Sequence, residues 1–463
     1  MSLLIQNGEV VTADTRHFAD IYVERETITR IGKNLAVPPG VEVIDATGQL
    51  IFPGFIDPHV HIYLPFMATF AKDTHKTASV AALIGGTTTF IEMCCPSRFD
   101  DPLDGYHLWK GKAAGVSACD YSFHMAVTRF DDKTEAQLRE IVADGTASFK
   151  VFLAYKNFFG VEDDELYQTL SLARKLGVIT TAHCENAELV SRLQEALLAE
   201  GKIGPEWHEP SRPETVEAEG TNRFATFLET TKAQGYVVHL SCQPALEAAM
   251  RAKQRGVKLA VESVVPHFLL DRRLAEQPGV EGMKYVMSPP LRDKRNQAVL
   301  WAALAAGTVD TVGTDHCPFD LEQKKLGAHG FTQIPNGIPG IEDRVNLMYS
   351  QGVCAGRIDI HRFVDALSTR AAKLFGLFPR KGSIAPGSDA DLVIFDPSYR
   401  GTISVATQHT NNDYNGFEGF PIEGRPSVVT LRGKIQVRDG VFVGEQGCGQ
   451  FLAREPIGDG YGG

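Results

Sequence analysis

Between Phe55 and His316 short apolar, strand-like segments alternate with helix-like ones, and this alternation narrows the possible folds more than any other feature of the chain. The strand candidates are "FIDPHVH", "GTTTFIEMC", "CDYSFHMAV", "TASFKVFLAY", "GVITTAHCE", "GYVVHLSC", "VKLAVESVV" and "TVDTVGTDH", eight in series. Between them lie patterns such as "DDELYQTLSLARKLG" and "QPALEAAMRAKQRG", with bases late and Gly at the stop, as helices prefer. An α/β fold follows, a (β/α)8 TIM barrel with a parallel sheet. A doubly wound open sheet is the alternative, but no Gly-rich phosphate fingerprint follows the first strand.

Both chain ends have a different texture. "LLIQNGEVV", "ADIYVE" and "EVIDATGQLIF" at the start, and "DADLVIFD" and "SVVTLRGKIQVRDGVFVGE" at the end, read as short strands with Gly turns. Neither end is large enough for a stable core of its own. The two are expected to pair into one small β-sandwich domain, residues 1–52 with 379–463, and the barrel to occupy 53–378.

Charge limits the ligands. The chain carries 46 Lys and Arg against 57 Asp and Glu, a formal −11, so its field repels nucleic acid and acidic membrane surfaces. No stretch approaches the roughly 20 apolar residues that span a bilayer, and no signal peptide is evident, so a cytoplasmic protein is expected. The 8 cysteines are scattered and the adjacent pair Cys94-Cys95 lacks CxxC spacing, which suggests neither disulfides nor a thiolate zinc cluster. A small, weakly charged substrate fits this balance.

Functional residues of such a barrel sit at the strand ends. Read in order, those ends carry His59 and His61, then Lys150, His183, His239 and Asp315. Imidazole and carboxylate suit Zn²⁺ and, less selectively, Mn²⁺ or Fe²⁺. The set is too large for one catalytic zinc, which keeps about three protein ligands, so two divalent ions are implied. Two such ions stand roughly 3.5–4 Å apart and need an anionic bridge. Lys150, flanked by Phe149, Val151 and Phe152 in a strand covered on both faces, is expected to be buried with a lowered pKa. Its neutral amine adds carbon dioxide, supplied as bicarbonate, to give a carbamate on an arm long enough to reach both ions.

The motifs "DPHVH", "SFKVFLAYK", "AHCEN", "VVHLSC", "SPPLR", "GTDHCPF", "IPNGIPGIEDR" and "NDYNGFEGF", in this order, resemble the cyclic-amidase branch of the amidohydrolase superfamily, the hydantoinase and dihydropyrimidinase group. The resemblance runs through both chain ends. It implies that His59, His61 and Asp315 hold the more buried metal, that His183 and His239 hold the more exposed one, and that carboxylated Lys150 bridges them. It assigns Tyr155 as donor to the developing oxyanion. Ser288 and Asn336 match positions whose main-chain groups hold the cyclic imide or ureide. Asp315 is implied as general base and then general acid, opening the ring to an N-carbamoyl amino acid. Leu64, Phe66, Phe152 and Phe159 match loops that shape the pocket for the exocyclic substituent, and D-selectivity and a homo-oligomer, tetramer ahead of dimer, are implied likewise.

Rivals are a dihydroorotase- or allantoinase-like activity and a non-catalytic scaffold of the same fold. Dihydroorotase relatives usually carry an Arg two residues past the second histidine, suited to a substrate carboxylate; here Tyr63 stands there. The full ligand set argues against a scaffold.

Overall fold

The computed structural model describes residues 2–458. Eight parallel strands follow one another in chain order around a barrel: β1 Phe55–Val60, β2 Thr87–Cys94, β3 Asp120–Ala126, β4 Ser148–Phe152, β5 Ile179–His183, β6 Gln234–Val237, β7 Leu259–Val264 and β8 Thr311–Gly313. Every residue of these strands is buried. That explains their near-continuous apolar sequence, because crossover helices cover one face and the barrel interior the other. The helices end as their sequences dictate: Asp163–Leu176 has three acids in its first turn, Arg174 and Lys175 in its last, and Gly177 at φ 70° as a left-handed cap.

The barrel closes between β8 and β1. Asp315 N donates to His59 O (3.0 Å) and His61 N to His316 O (2.7 Å). Buried Arg344 staples the same seam, with Nη1 on both Ile56 O and Val312 O (2.9 Å each). The closing hydrogen bonds therefore also bring His59, His61 and Asp315 together.

The two chain ends join, as expected, into one β domain, a nine-stranded mixed sheet. The join is the antiparallel pairing of Leu50–Pro53 with the start of Leu392–Thr402. Ile5, Ile21, Val23 and Ile51 share a core with Leu392, Ile394 and Val428. Beyond the last strand, the chain returns to the barrel: Gln450 and Leu452 pair with Tyr121, and buried Arg454 donates to Ser122 Oγ and Ser148 Oγ. Among the described residues no helix is long and apolar enough to cross a membrane.

A buried ion cluster fastens sheet to barrel. Lys381 Nζ lies 2.7 Å from Asp120, at the start of β3, and 2.6 Å from Asp391, beside the returning strand; Arg432 also pairs with Asp120. Removing one partner of such a cluster strands the others without compensation. Lys381→Met is expected to destabilise the protein by about 3–5 kcal/mol, read as a lower urea midpoint; an unchanged midpoint would show that the cluster holds nothing together.

Candidate functional site

The residues singled out above converge at the C-terminal mouth of the barrel. An inner cavity of about 40 Å³ is lined by His61, Lys150, His183, His239 and Asp315 on one side and by Leu64, Phe66, Phe152, Tyr155, Phe159, Ser288 and Asn336 on the other. It meets an outer pocket of about 610 Å³ that shares Phe66, Tyr155 and Asn336. His59 lies just beneath, fully buried. Three of these residues have left-handed backbone, Tyr155 (φ 56°), His239 (φ 40°) and Asp315 (φ 51°), a strain that persists only where the surroundings hold it.

Two imidazole groupings face each other across the cavity. His59 Nε2 and His61 Nε2 lie 3.1 and 3.3 Å from Asp315 Oδ1, and the ligand atoms of these three residues fall within 4.8 Å of one another. On the other side His183 Nδ1 and His239 Nε2 are 2.9 Å apart. The His59 and His239 rings are separated by 5.4 Å between centroids.

Carboxylates behind the histidines set their tautomers. Glu262 Oε2 meets His59 Nδ1 at 2.8 Å, and Glu185 Oε2 meets His183 Nε2 at 2.7 Å. A proton on each of those nitrogens would turn the opposite lone pair toward the cavity; for His59 this needs Glu262 ionised, against the burial that pushes its pKa up to about 8. Glu185 is itself held by buried Arg212 (2.5 Å); burial opposes its charge, yet Arg212 and His183 keep its pKa at about 2. Glu262 is recognisable in sequence as a lone acid in an apolar strand and Glu185 as the acid two residues past His183. Arg212 has no local signal, because its partner is 27 residues away.

Electrostatics favour ligation. Burial drives the pKa of His59 and His239 well below the ordinary value and lowers that of His183, leaving neutral imidazoles, the form that binds metal. Burial also opposes charge on Asp315, but His59, His61 and Lys150 outweigh it and hold the group below the usual carboxylate range. Lys150 is fully buried, its pKa lowered by desolvation. Among the described residues its Nζ and His59 Nε2 have no hydrogen-bond partner. Orphaned basic nitrogens around a carboxylate, aimed at shared space, fit a divalent cation.

Around the rest of the cavity, Phe66 stacks on Phe159 and Phe152 on Phe159, with centroids 5.9 and 5.1 Å apart. Burial raises the pKa of the Tyr155 phenol, which stays a protonated donor. Asn336 Nδ2 donates to Ser288 Oγ at 3.0 Å, tying two loops across the cavity. Tyr63 points elsewhere: its ring packs on Trp109 (4.9 Å) beneath Lys112.

The chain resembles known proteins along nearly its whole length. Residues 50–436 match the amidohydrolase family. The chain is 44% identical over 460 residues to D-hydantoinase of Geobacillus stearothermophilus, covering 99% of this chain and 98% of that protein. It is 39% identical to dihydropyrimidinase 1 of Caenorhabditis elegans, covering 97% and 93%. The solved structure of D-hydantoinase (dihydropyrimidinase) from Thermus sp. superposes with a TM-score of 0.98 at 76% identity, covering 98% of this chain and all of that one.

The acids behind His59 and His183 supply a test. Glu185→Gln and Glu262→Gln are each expected to weaken zinc retention by about 10–100-fold in chelator competition. Wild-type retention in both variants would mean that these acids do not orient His183 and His59.

Proposed function

Because the chain belongs to the amidohydrolase family, we propose that it hydrolyses the ring amide of 5-substituted hydantoins and dihydropyrimidines to N-carbamoyl amino acids, with D-selectivity. The observation that carries this reading is the inner cavity itself, where His61, His183, His239, Asp315 and Lys150 face Tyr155 and an apolar wall. Full-length likeness to enzymes named D-hydantoinase and dihydropyrimidinase supports the substrate class and the stereochemistry.

In this reading His59, His61 and Asp315 would hold one divalent ion, His183 and His239 would hold a second, and Lys150 would serve both. The ions, zinc first and manganese as the alternative, supply polarisation of the carbonyl and a nucleophile at neutral pH. Lys150 takes up carbon dioxide: the amine lone pair adds to the carbon, the nitrogen releases a proton, and a carboxylate results. Its burial and lowered pKa support the amine form that this addition needs.

Asp315 accepts a proton from the attacking water and returns it to the leaving ring nitrogen. The Tyr155 hydroxyl donates to the oxygen that gains charge as the carbonyl becomes tetrahedral. Main-chain groups at Ser288 and Asn336 orient the ring amide. Leu64, Phe66, Phe152 and Phe159 receive the 5-substituent and exclude water. The inner cavity has no arginine among its described lining residues, and Tyr63 turns toward Trp109, both of which disfavour an anionic substrate of the dihydroorotate kind.

The domain division expected from the sequence, the cytoplasmic location and a homotetramer belong to the same proposal. Self-association is supported by the helix Ala187–Ala199, which buries only Val190 and leaves Leu189 and Leu198 exposed.

The experiment is ring opening of racemic 5-phenylhydantoin and of dihydrouracil by protein supplied with zinc or manganese and bicarbonate, with products resolved by chirality. Opening mainly to the N-carbamoyl-D product, and a Tyr155→Phe loss of about 10²–10³ in kcat, are expected. Metal-loaded protein that opens neither ring would favour a scaffold, and mainly L product would overturn the stereochemistry.

A further inference from the structure

The short helix Leu321–Lys324 lies outside the constellation at the strand ends, yet it ties together three loops that line the pocket. Just before it, Asp320 pairs with Lys72 at 2.5 Å. Gln323 Nε2 donates to Thr69 Oγ1 and Phe70 O, 2.7 Å each, holding the hairpin that stands over the outer pocket. Lys324 points the other way, into the protein, and is fully buried.

Its Nζ donates to three main-chain carbonyls: Val286 O at 3.0 Å, Pro335 O at 2.7 Å and Gly337 O at 2.8 Å. The first precedes Ser288 by two residues, and the other two flank Asn336. Val286 O also accepts from Gly337 N at 3.0 Å, so the two loops meet on a shared acceptor with the ammonium beside it. The fit leaves no slack. Gly337 has φ 154°, and a Cβ there would lie 2.1 Å from Cys317 O.

Among the described residues no carboxylate forms an ion pair with Lys324. A buried ammonium without an acid is an expensive way to fill space, and an apolar side chain of the same length would serve packing better. Burial lowers its pKa to about 7. Three carbonyls are satisfied at once only by an ammonium with three N–H donors, which favours the charged form. What the group achieves that packing cannot is a set distance between two loops.

We infer that Lys324 is a positioning residue for ring recognition: its ammonium sets the spacing between the Ser288 loop and the Asn336 loop, and so the place where their main-chain groups meet the ring amide. The inference rests on the reading above that these loops hold the ring. Lys324 touches neither substrate nor metal in this account, so its loss acts on substrate binding ahead of the chemical step.

The test uses the metal-loaded full chain with dihydrouracil, which has no 5-substituent to anchor it elsewhere. Lys324→Met removes the donors at nearly constant volume, and Lys324→Gln keeps a neutral donor and serves the same comparison should the Met variant fail to fold. The expected result is a KM raised about tenfold or more in Lys324→Met and less in Lys324→Gln, with kcat within about threefold of wild type and metal content unchanged. A KM within twofold of wild type, accompanied only by a lower unfolding midpoint, would overturn the inference and leave Lys324 a structural residue. Loss of kcat and metal with KM unchanged would overturn it too. A wild-type enzyme that opens no ring overturns the functional reading and this inference together; an active wild type beside an unaltered variant KM overturns this inference alone.

Discussion

The site depends on the seam where the last barrel strand meets the first. Two main-chain hydrogen bonds across it, Asp315 N to His59 O and His61 N to His316 O, close the barrel. The same two bonds bring an acid and two histidines, more than 250 residues apart in the chain, within a few ångströms. Asp57 accepts from Thr314 Oγ1 at 2.6 Å beneath them, and Arg344 holds carbonyls from both strands. Closing the fold and assembling this half of the site are one event.

Burial then prepares the chemistry. Strands covered on both faces leave the histidines and Lys150 little water, and charge on each becomes costly. Neutral imidazoles and a neutral amine are the forms that bind metal and add carbon dioxide. The cost of such a dry, basic cavity is met from behind: Glu262 and Glu185 fix the ring protons of His59 and His183, and Arg212 keeps Glu185 ionised. Left-handed backbone at Tyr155, His239 and Asp315 marks where the strand ends are bent to aim side chains inward.

Much of this was legible in the sequence. Strand-helix alternation carries the barrel, and the strand ends carry the histidines, Lys150 and Asp315, because period and position are local properties. Element ends were harder to read. "TVDTVGTDH" looks like one long strand, yet only Thr311–Gly313 pairs as one, since the chain turns left-handed at Asp315. The hairpin of Pro65–Phe66 with Thr69–Phe70 hides in an aromatic run with no Asn-Gly turn. Which side chains pair behind the site was illegible for a different reason, even where the acids themselves stand out. Glu262 meets His59 across 203 residues and Lys324 reaches Val286 across 38, contacts that exist only once the barrel has closed.

Lys150 is fully buried, and among the described residues its Nζ has no hydrogen-bond partner; under the proposed function it becomes the anionic bridge of a two-ion centre. The most direct measurement is metal content together with ¹³C NMR of protein prepared in ¹³C-labelled bicarbonate. Two divalent ions and one carbamate carbon per chain are expected, with the carbamate signal and at least one ion lost in Lys150→Ala. A single ion per chain with no carbamate signal, in protein that still opens the ring, would contradict it.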